Sequence, residues 1–164
     1  ELYQSTWNEL THAGYEHYEI SNFSKPGREC LHNLNTWKMK EWIGVGPSAA
    51  SQFQNIRYSN AADLDTWLGQ LDTEIEARCE VVELTSEGLL EDAVIFGLRM
   101  GQGISIKSLS HRFGGEPLER LTSFFTALQE EGLAIVEDGD QVSLTLRGKL
   151  LADRIAIELL EAAF

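Results

Sequence analysis

The second half of the chain carries the clearer hydrophobic pattern. Thr85 or Ser86 reads as the N-cap of a helix whose apolar face is Leu89, Leu90, Ala93, Val94 and Gly97, with Gly101 as its stop. The spacing predicts a short helix over residues 106–113, closed by Gly114-Gly115. A longer helix follows over 116–131, with Leu118, Leu121, Phe124, Phe125 and Leu128 inward and Gly132 as stop. Apolar runs at 133–136 and 141–146 flank Asp138-Gly139-Asp140, a strong hairpin signal. One last helix is expected from Arg147 to about Glu161. Helix, helix, helix, β-hairpin, helix is the order of a winged-helix-like domain.

The first half is less regular. Tyr3, Trp7 and Leu10 stand at helical spacing, and Gly14 follows as a C′ residue. Residues 15–21 are rich in β-formers, so helix, glycine and strand read as one αβ unit of a larger parallel sheet. A single unit of that kind cannot bury itself, and the chain opens on Glu1 rather than Met; both suggest a fragment of something longer. Residues 22–42 show no periodicity and pass through Pro26-Gly27, as a long ordered loop would. Asn60 reads as an N-cap with Asp63 at N3. Leu64, Trp67, Leu68 and Leu71 then form an apolar stripe, which predicts a helix over 61–71. Residues 72–84 are mixed, with Val81, Val82 and Leu84 marking a short strand or connector. The division expected here separates residues 1–80 from 81–164, an α+β organisation.

Composition narrows the function classes. The 164 residues are 43% hydrophobic, with four Trp and seven Phe, enough for a real core. No window holds the ~18 consecutive apolar residues of a membrane span, and no signal-peptide pattern opens the chain. Thirteen basic residues against 26 acidic ones leave a net charge of −13, which repels nucleic acid and anionic lipid. The would-be recognition helix carries Glu116, Glu119, Glu130 and Glu131 against Arg120, and the wing tip carries Asp138 and Asp140. These charges favour a structural or protein-contacting module over a DNA reader. Only the stretch from Lys25 to Lys40 reverses the trend, with Lys25, Arg28, Lys38 and Lys40 against Glu29. Cys30 and Cys79 form no C-x-x-C motif, which fits a reducing cytoplasm without a disulfide framework. Two cysteines alone assemble neither a zinc site nor an iron–sulfur cluster.

Two segments carry candidate chemistry. Gly44-Val45-Gly46-Pro47-Ser48-Ala49 matches G-x-G-x-x-A, but no βαβ unit closes around it. Its glycines serve either a tight turn or the close approach of a flat ligand to the backbone. His32 lies between Cys30 and Trp37 within the basic stretch. It is either a loop histidine bonded to backbone or an axial haem ligand with cations near the propionates. His12, His17 and His111 lack supporting neighbours and read as structural. Glu16 and Glu19 are carboxylates with no visible partner.

Tyr18-Glu19-Ile20-Ser21-Asn22-Phe23-Ser24-Lys25-Pro26-Gly27 is followed by Cys30, by His32-Asn33-Leu34-Asn35-Thr36-Trp37 and by Ile43-Gly44-Val45-Gly46. This succession resembles the radical SAM family of oxygen-independent coproporphyrinogen III oxidases, and more closely its haem chaperone branch. The likeness runs from about Leu10 to the C-terminus, where residues 144–152 (LTLRGKLLA) resemble the family's closing winged-helix-like segment. It implies that residues 2–21 are the last helix and strand of a partial (β/α) barrel, with Ser21, Asn22 and Phe23 near the site. It also implies that Gly44, Gly46, Ser48 and Ala50 lie against S-adenosylmethionine. His32, Asn33 and Trp37 match the branch's haem-binding H-N-x-x-Y-W motif, with Thr36 where Tyr is expected.

The family's C-x-x-x-C-x-x-C loop, which holds a [4Fe–4S] cluster, is not in this sequence, so the chain alone is not expected to cleave S-adenosylmethionine. The function implied first is the C-terminal part of a haem chaperone-like protein. It would bind haem through His32, with Lys25, Arg28, Lys38 and Lys40 facing the propionates, and pass it to haem-receiving proteins. An alternative is a coproporphyrinogen III oxidase forming protoporphyrinogen IX by oxidative decarboxylation, with the porphyrinogen as ligand. A third is a non-catalytic acidic docking module over residues 85–164.

Overall fold

A computed structural model describes residues 2–73, 78–114 and 118–163. The expected helix start at Glu116 and part of the 72–84 connector lie outside these residues. Helix α1 (Leu2–His12) ends at Gly14, whose φ of +75° suits a residue without Cβ. Strands β1 (Glu16–Glu19) and β2 (Asn22–Ser24) follow. They pair antiparallel, Glu16 opposite Ser24 and His17 opposite Phe23. The parallel arrangement expected for residues 15–21 is therefore corrected for every pairing among the described residues. β-Propensity identifies a strand but says nothing about its direction of pairing.

Residues 22–42 are not one long loop, since β2 and helix α2 (Leu31–Trp37) both lie within them. Strands β3 (Ala50–Phe53), β4 (Ile56–Ser59) and β5 (Cys79–Glu83) form an antiparallel sheet in that order. The β3–β4 turn uses Gln54 and Asn55 at φ +51° and +60°, a left-handed pair without the usual glycine signal. Helix α3 (Leu64–Thr73) starts later than expected. Asp63, not Asn60, is its cap: Oδ1 of Asp63 accepts from Thr66 N at 2.8 Å and from Thr66 Oγ1 at 2.7 Å. Its apolar stripe faces outward, with Leu64, Leu68 and Leu71 exposed.

In the second half, Thr85 Oγ1 accepts from Gly88 N at 3.1 Å and caps α4 (Ser86–Arg99). That helix stops two residues before Gly101 because Met100 is extended. A two-residue strand, β6 (Ile104–Ser105), precedes α5 (Ile106–Phe113) and α6 (Leu118–Glu130). The hairpin forms as expected from β7 (Ala134–Glu137) and β8 (Gln141–Leu144), and β6 adds to it in the order β6-β8-β7. Gly103 permits that addition: at φ +69°, a Cβ there would lie 1.9 Å from Val142 O. The single closing helix expected from Arg147 is instead two, α7 (Leu146–Leu150) and α8 (Ala152–Ala163), because Leu151 leaves helical geometry between them.

Burial is uneven. Leu90, Val94, Leu121, Phe125, Leu133, Val142 and Leu159 belong to one contiguous core between α4, α5, α6, α8 and the β6-β8-β7 sheet. Among the described residues before α4, only Trp7, Met39 and Ala61 are buried apolar side chains, while Ile43, Val45, Val81 and Val82 stand in solvent. The two parts are joined through backbone. Ile20 N donates to Arg99 O at 3.1 Å, Gly101 N donates to Tyr18 O at 2.8 Å, and Glu19 bridges Met100. Arg57 adds a tie from β4 to α4, reaching Asp92 Oδ2 at 2.7 Å.

Phe125 is 1% exposed, so Phe125→Ala removes a ring the core cannot refill and is expected to cost about 3–5 kcal/mol in urea unfolding. Asp140 accepts from Lys107 N at 2.8 Å, which with the Ser105 hydroxyl holds its carboxyl below the ordinary 3.8. A depressed folded-state pKa contributes stability that is complete above the ordinary value and lost as pH falls through the lowered one. Asp140→Asn should therefore be less stable than the parent at neutral pH, and the gap should close below about pH 4 in thermal melts.

Candidate functional site

Helix α2 has only seven residues, and Cys30 at its N-cap gives no side-chain hydrogen bond. Docking holds it in place. Trp37 meets Phe96 of α4 edge-on at 5.4 Å between ring centres, and the Arg99 guanidinium sits over its ring at 5.3 Å from the centroid. Helical rotation then places His32 away from that contact. His32 is exposed, its imidazole makes no hydrogen bond among the described residues, and Thr36 Oγ1 donates to its carbonyl at 3.1 Å. Asn33 is half-buried. The structure therefore puts His32, Asn33 and Trp37 on one helix but gives them different jobs, with Trp37 as anchor and His32 as the free imidazole.

The glycine segment is an ordered loop braced from inside. Gly44 N donates to Ser51 Oγ at 3.0 Å, and Asn60 Nδ2 donates to Gly44 O and Gly46 O at 3.3 and 2.8 Å. Asn60 is thus the brace of this loop. A Cβ on Gly44 would lie 2.3 Å from Ala50 O, so that glycine is required by the chain's own packing. Gly46 differs: its φ of +108° needs glycine, and nothing stands within 4 Å of its Cβ position. Ser48, also left-handed at φ +58°, and Ala50 are exposed. The loop leaves open space beside Gly46, while Ser48 N donates to Ala61 O at 3.1 Å, and Ile43 and Val45 are exposed nearby.

Of the four expected cations, Lys25 is already engaged, donating to Ala13 O and lying 4.2 Å over the Tyr15 ring. Arg28, Lys38 and Lys40 are exposed. Cys30 and Cys79 are free thiols, and among the described residues no three His, Cys, Asp or Glu gather as a metal site. No described helix is long and apolar enough to cross a membrane.

Sequence reasoning passed over the seam where β1 meets α4 and α7. Glu19 is fully buried. One carboxylate oxygen accepts from Ser21 N at 2.8 Å and from Asn22 Nδ2, and the other has no partner. His17, expected to be structural, stacks on Phe23 at 4.3 Å and lies 4.8 Å from Trp7. Burial lowers its pKa, so it stays neutral further into acid than a free imidazole. Lys149 is half-buried, and burial pulls its ammonium down despite the attraction of Glu19. The only sequence signal for this group is that Glu19 and Lys149 sit in the two most recognisable strings, YEISNF and LTLRGKLLA.

Comparison with known proteins matches residues 63–151 to the family model described as HemN C-terminal domain. The heme chaperone HemW of Bacillus subtilis is 29% identical over 155 residues, covering 94% of this chain and 41% of that protein. HemW of Mycobacterium tuberculosis is 32% identical over 151 residues, covering 92% and 36%. Across the HemW relatives the chain spans between 29% and 41% of their length. The structure of coproporphyrinogen III oxidase (HemN) from Escherichia coli, a radical SAM enzyme, superposes with a TM-score of 0.73 at 20% identity. That likeness covers 94% of this chain and 39% of HemN, and establishes a shared mixed α/β fold. The chain belongs to the HemN-like radical SAM family, carries its C-terminal domain and falls with its haem chaperone branch.

Proposed function

We propose that this chain is the part of a haem chaperone-like protein that receives haem and passes it to partner proteins. His32 would be the axial ligand, and Arg28, Lys38 and Lys40 the cations nearest the propionates. The observation that carries this reading is the division of labour on α2. Trp37 fixes the helix against Phe96 and Arg99, while the exposed His32 imidazole makes no hydrogen bond among the described residues. A ligating imidazole needs a nitrogen free to bind iron, and His32 offers one on a helix that Trp37 anchors. Haem bound there would bring the iron centre; the chain's own role is to hold it at His32 and to shield one face with α2.

In a full-length protein of this family, S-adenosylmethionine with a [4Fe–4S] cluster would supply reductive cleavage. Gly46 fits the approach of a nucleoside-like ligand, because nothing stands within 4 Å of its Cβ position, and Ser48 beside it is exposed. The cluster does not fit this chain, whose two cysteines fall short of a three-cysteine loop. We read the winged-helix-like part expected over residues 81–164 as starting at α4, because β5 crosses that boundary within the β3-β4-β5 sheet, while the β6-β8-β7 sheet packs on α4, α5 and α6. Residues 2–21 we read as the margin of a partial barrel, with β1 closing antiparallel against β2. The exposed apolar residues of the first half support that reading, since a missing layer would cover them.

A second reading, a coproporphyrinogen III oxidase, draws on Thr36. Its hydroxyl turns back to the His32 carbonyl, so the phenol of the chaperone motif has no counterpart here.

Titration with haemin should give a saturable Soret shift that His32→Ala abolishes, or weakens by about tenfold or more. An identical shift in both proteins would remove His32 as the ligand. Formation of protoporphyrinogen IX from coproporphyrinogen by the full-length protein would then favour the oxidase.

A further inference from the structure

Helix α3 carries its apolar stripe on the solvent side. Leu64, Leu68 and Leu71 fall at i, i+4 and i+7 and are 54%, 45% and 60% exposed, while Trp67 and Gln70 are half-buried. The helix is nevertheless held firmly at its start. Asp63 caps it through Thr66, and the two residues that lead into it brace the glycine loop. Asn60 donates to Gly44 O and Gly46 O, and Ala61 O accepts from Ser48 N at 3.1 Å. The stripe is thus an ordered row of leucines beside that loop. Its surroundings are acidic: from Asp63 to Glu83 the sequence has seven acidic residues against one basic, a net −6 out of the −13 of the whole chain. The single base, Arg78, lies over the Tyr58 ring at 4.4 Å. Strand β5 closes the stretch with Val81 and Val82, both exposed.

An aligned apolar row with polar surroundings marks an interaction site, and here the charge selects the occupant. A second copy of this chain would set acid against acid. A ten-residue helix is also only ~15 Å long, too little for the ~800 Å² per partner of a standard stable interface. Anionic lipid is repelled for the same electrostatic reason. A barrel layer is expected at residues 2–21, whereas α3 lies within the domain matched over residues 63–151. A basic amphipathic helix satisfies both features at once: its apolar side chains at i, i+4 and i+7 meet the leucines, and its Lys or Arg flanks meet the acids. We infer that α3 is a docking surface for a basic amphipathic helix of a partner protein. That helix would lie next to the glycine loop, through the braces at Asn60 and Ala61. The inference is independent of His32 and of haem.

The test is NMR on the 15N-labelled chain, titrated with a synthetic helical peptide that has leucine at i, i+4, i+7 and i+11 flanked by lysine. Two control peptides replace lysine by glutamate, or keep the composition and scramble the leucines. The first peptide should give saturable shifts centred on the α3 amides, with a Kd of roughly 10–100 μM that rises with salt. Both controls should bind at least about tenfold more weakly. Leu68→Ser, and separately Leu64→Ser with Leu71→Ser, should each cost about tenfold in affinity. Because these side chains are exposed, urea unfolding of the variants should match the parent. His32→Ala should leave the titration unchanged, and the full-length protein should bind the peptide as this chain does. A scrambled or acidic peptide that binds equally well, or shifts that survive the serine variants, would overturn the proposal. So would a full-length protein that no longer takes the peptide, which would make its own missing layer the cover. Dimers that Leu68→Ser dissolves in sedimentation would assign the stripe to a second copy instead.

Discussion

Three consecutive residues, Arg99, Met100 and Gly101, set the register between the two parts of the chain. Leaving α4 in extended form, they add to the free edge of β1, with Arg99 O accepting from Ile20 and Gly101 N donating to Tyr18. Gly101 suits this close join, since a Cβ there would lie 3.0 Å from His17 O, a tight contact. Everything near the candidate site follows from this seam. It brings the Arg99 side chain over Trp37 and seats the buried Glu19 against the second half, near His17, which stacks on Phe23 and meets Trp7 at a 43° tilt. A backbone join of this kind is stiffer than side-chain contacts alone, since each strand hydrogen bond fixes distance and direction together.

The uneven core gives the two parts different physical characters. Residues from α4 onward bury Phe125, Leu121 and Val94 around a complete centre and satisfy their own helix caps at Thr85, Ser105 and Thr145. The earlier residues are small antiparallel sheets and short helices whose apolar side chains face outward. That half is arranged by its polar braces instead: Asn60 under the glycine loop, Asp63 at α3, Glu19 at the β1–β2 turn and Arg57 across to Asp92. Ligand-facing segments are commonly built this way, with loops positioned by a scaffold rather than buried in it.

What was legible from the sequence divides along the same line. Periodicity placed α4, α5, α6 and the β7–β8 hairpin, because each carries a strong local signal. An apolar face at period 3.6, a Thr or Ser cap, or Asp138-Gly139 already suited to the left-handed turn they adopt at φ +51° and +64° would each suffice. Helix α2 and the β3–β4 hairpin carry no such signal. The first is too short and polar to be stable until Trp37 docks, and the second turns through Gln54 and Asn55 rather than Asn-Gly.

By itself the sequence determined α4, α5, α6 and the β7–β8 hairpin, the acidic composition, the family and the string that contains His32 and Trp37. Only the tertiary structure decided that β1 runs antiparallel between β2 and Met100, that Trp37 packs against Phe96 and Arg99, and that Asn60 braces a loop instead of capping a helix. It alone brought Arg99 and Lys149, fifty residues apart in the chain, to one cavity. The physical reason is range. Caps, turns and periodicity are settled between residues a few positions apart, whereas strand direction, buried charge and shared cavities depend on segments that meet only once the chain has folded.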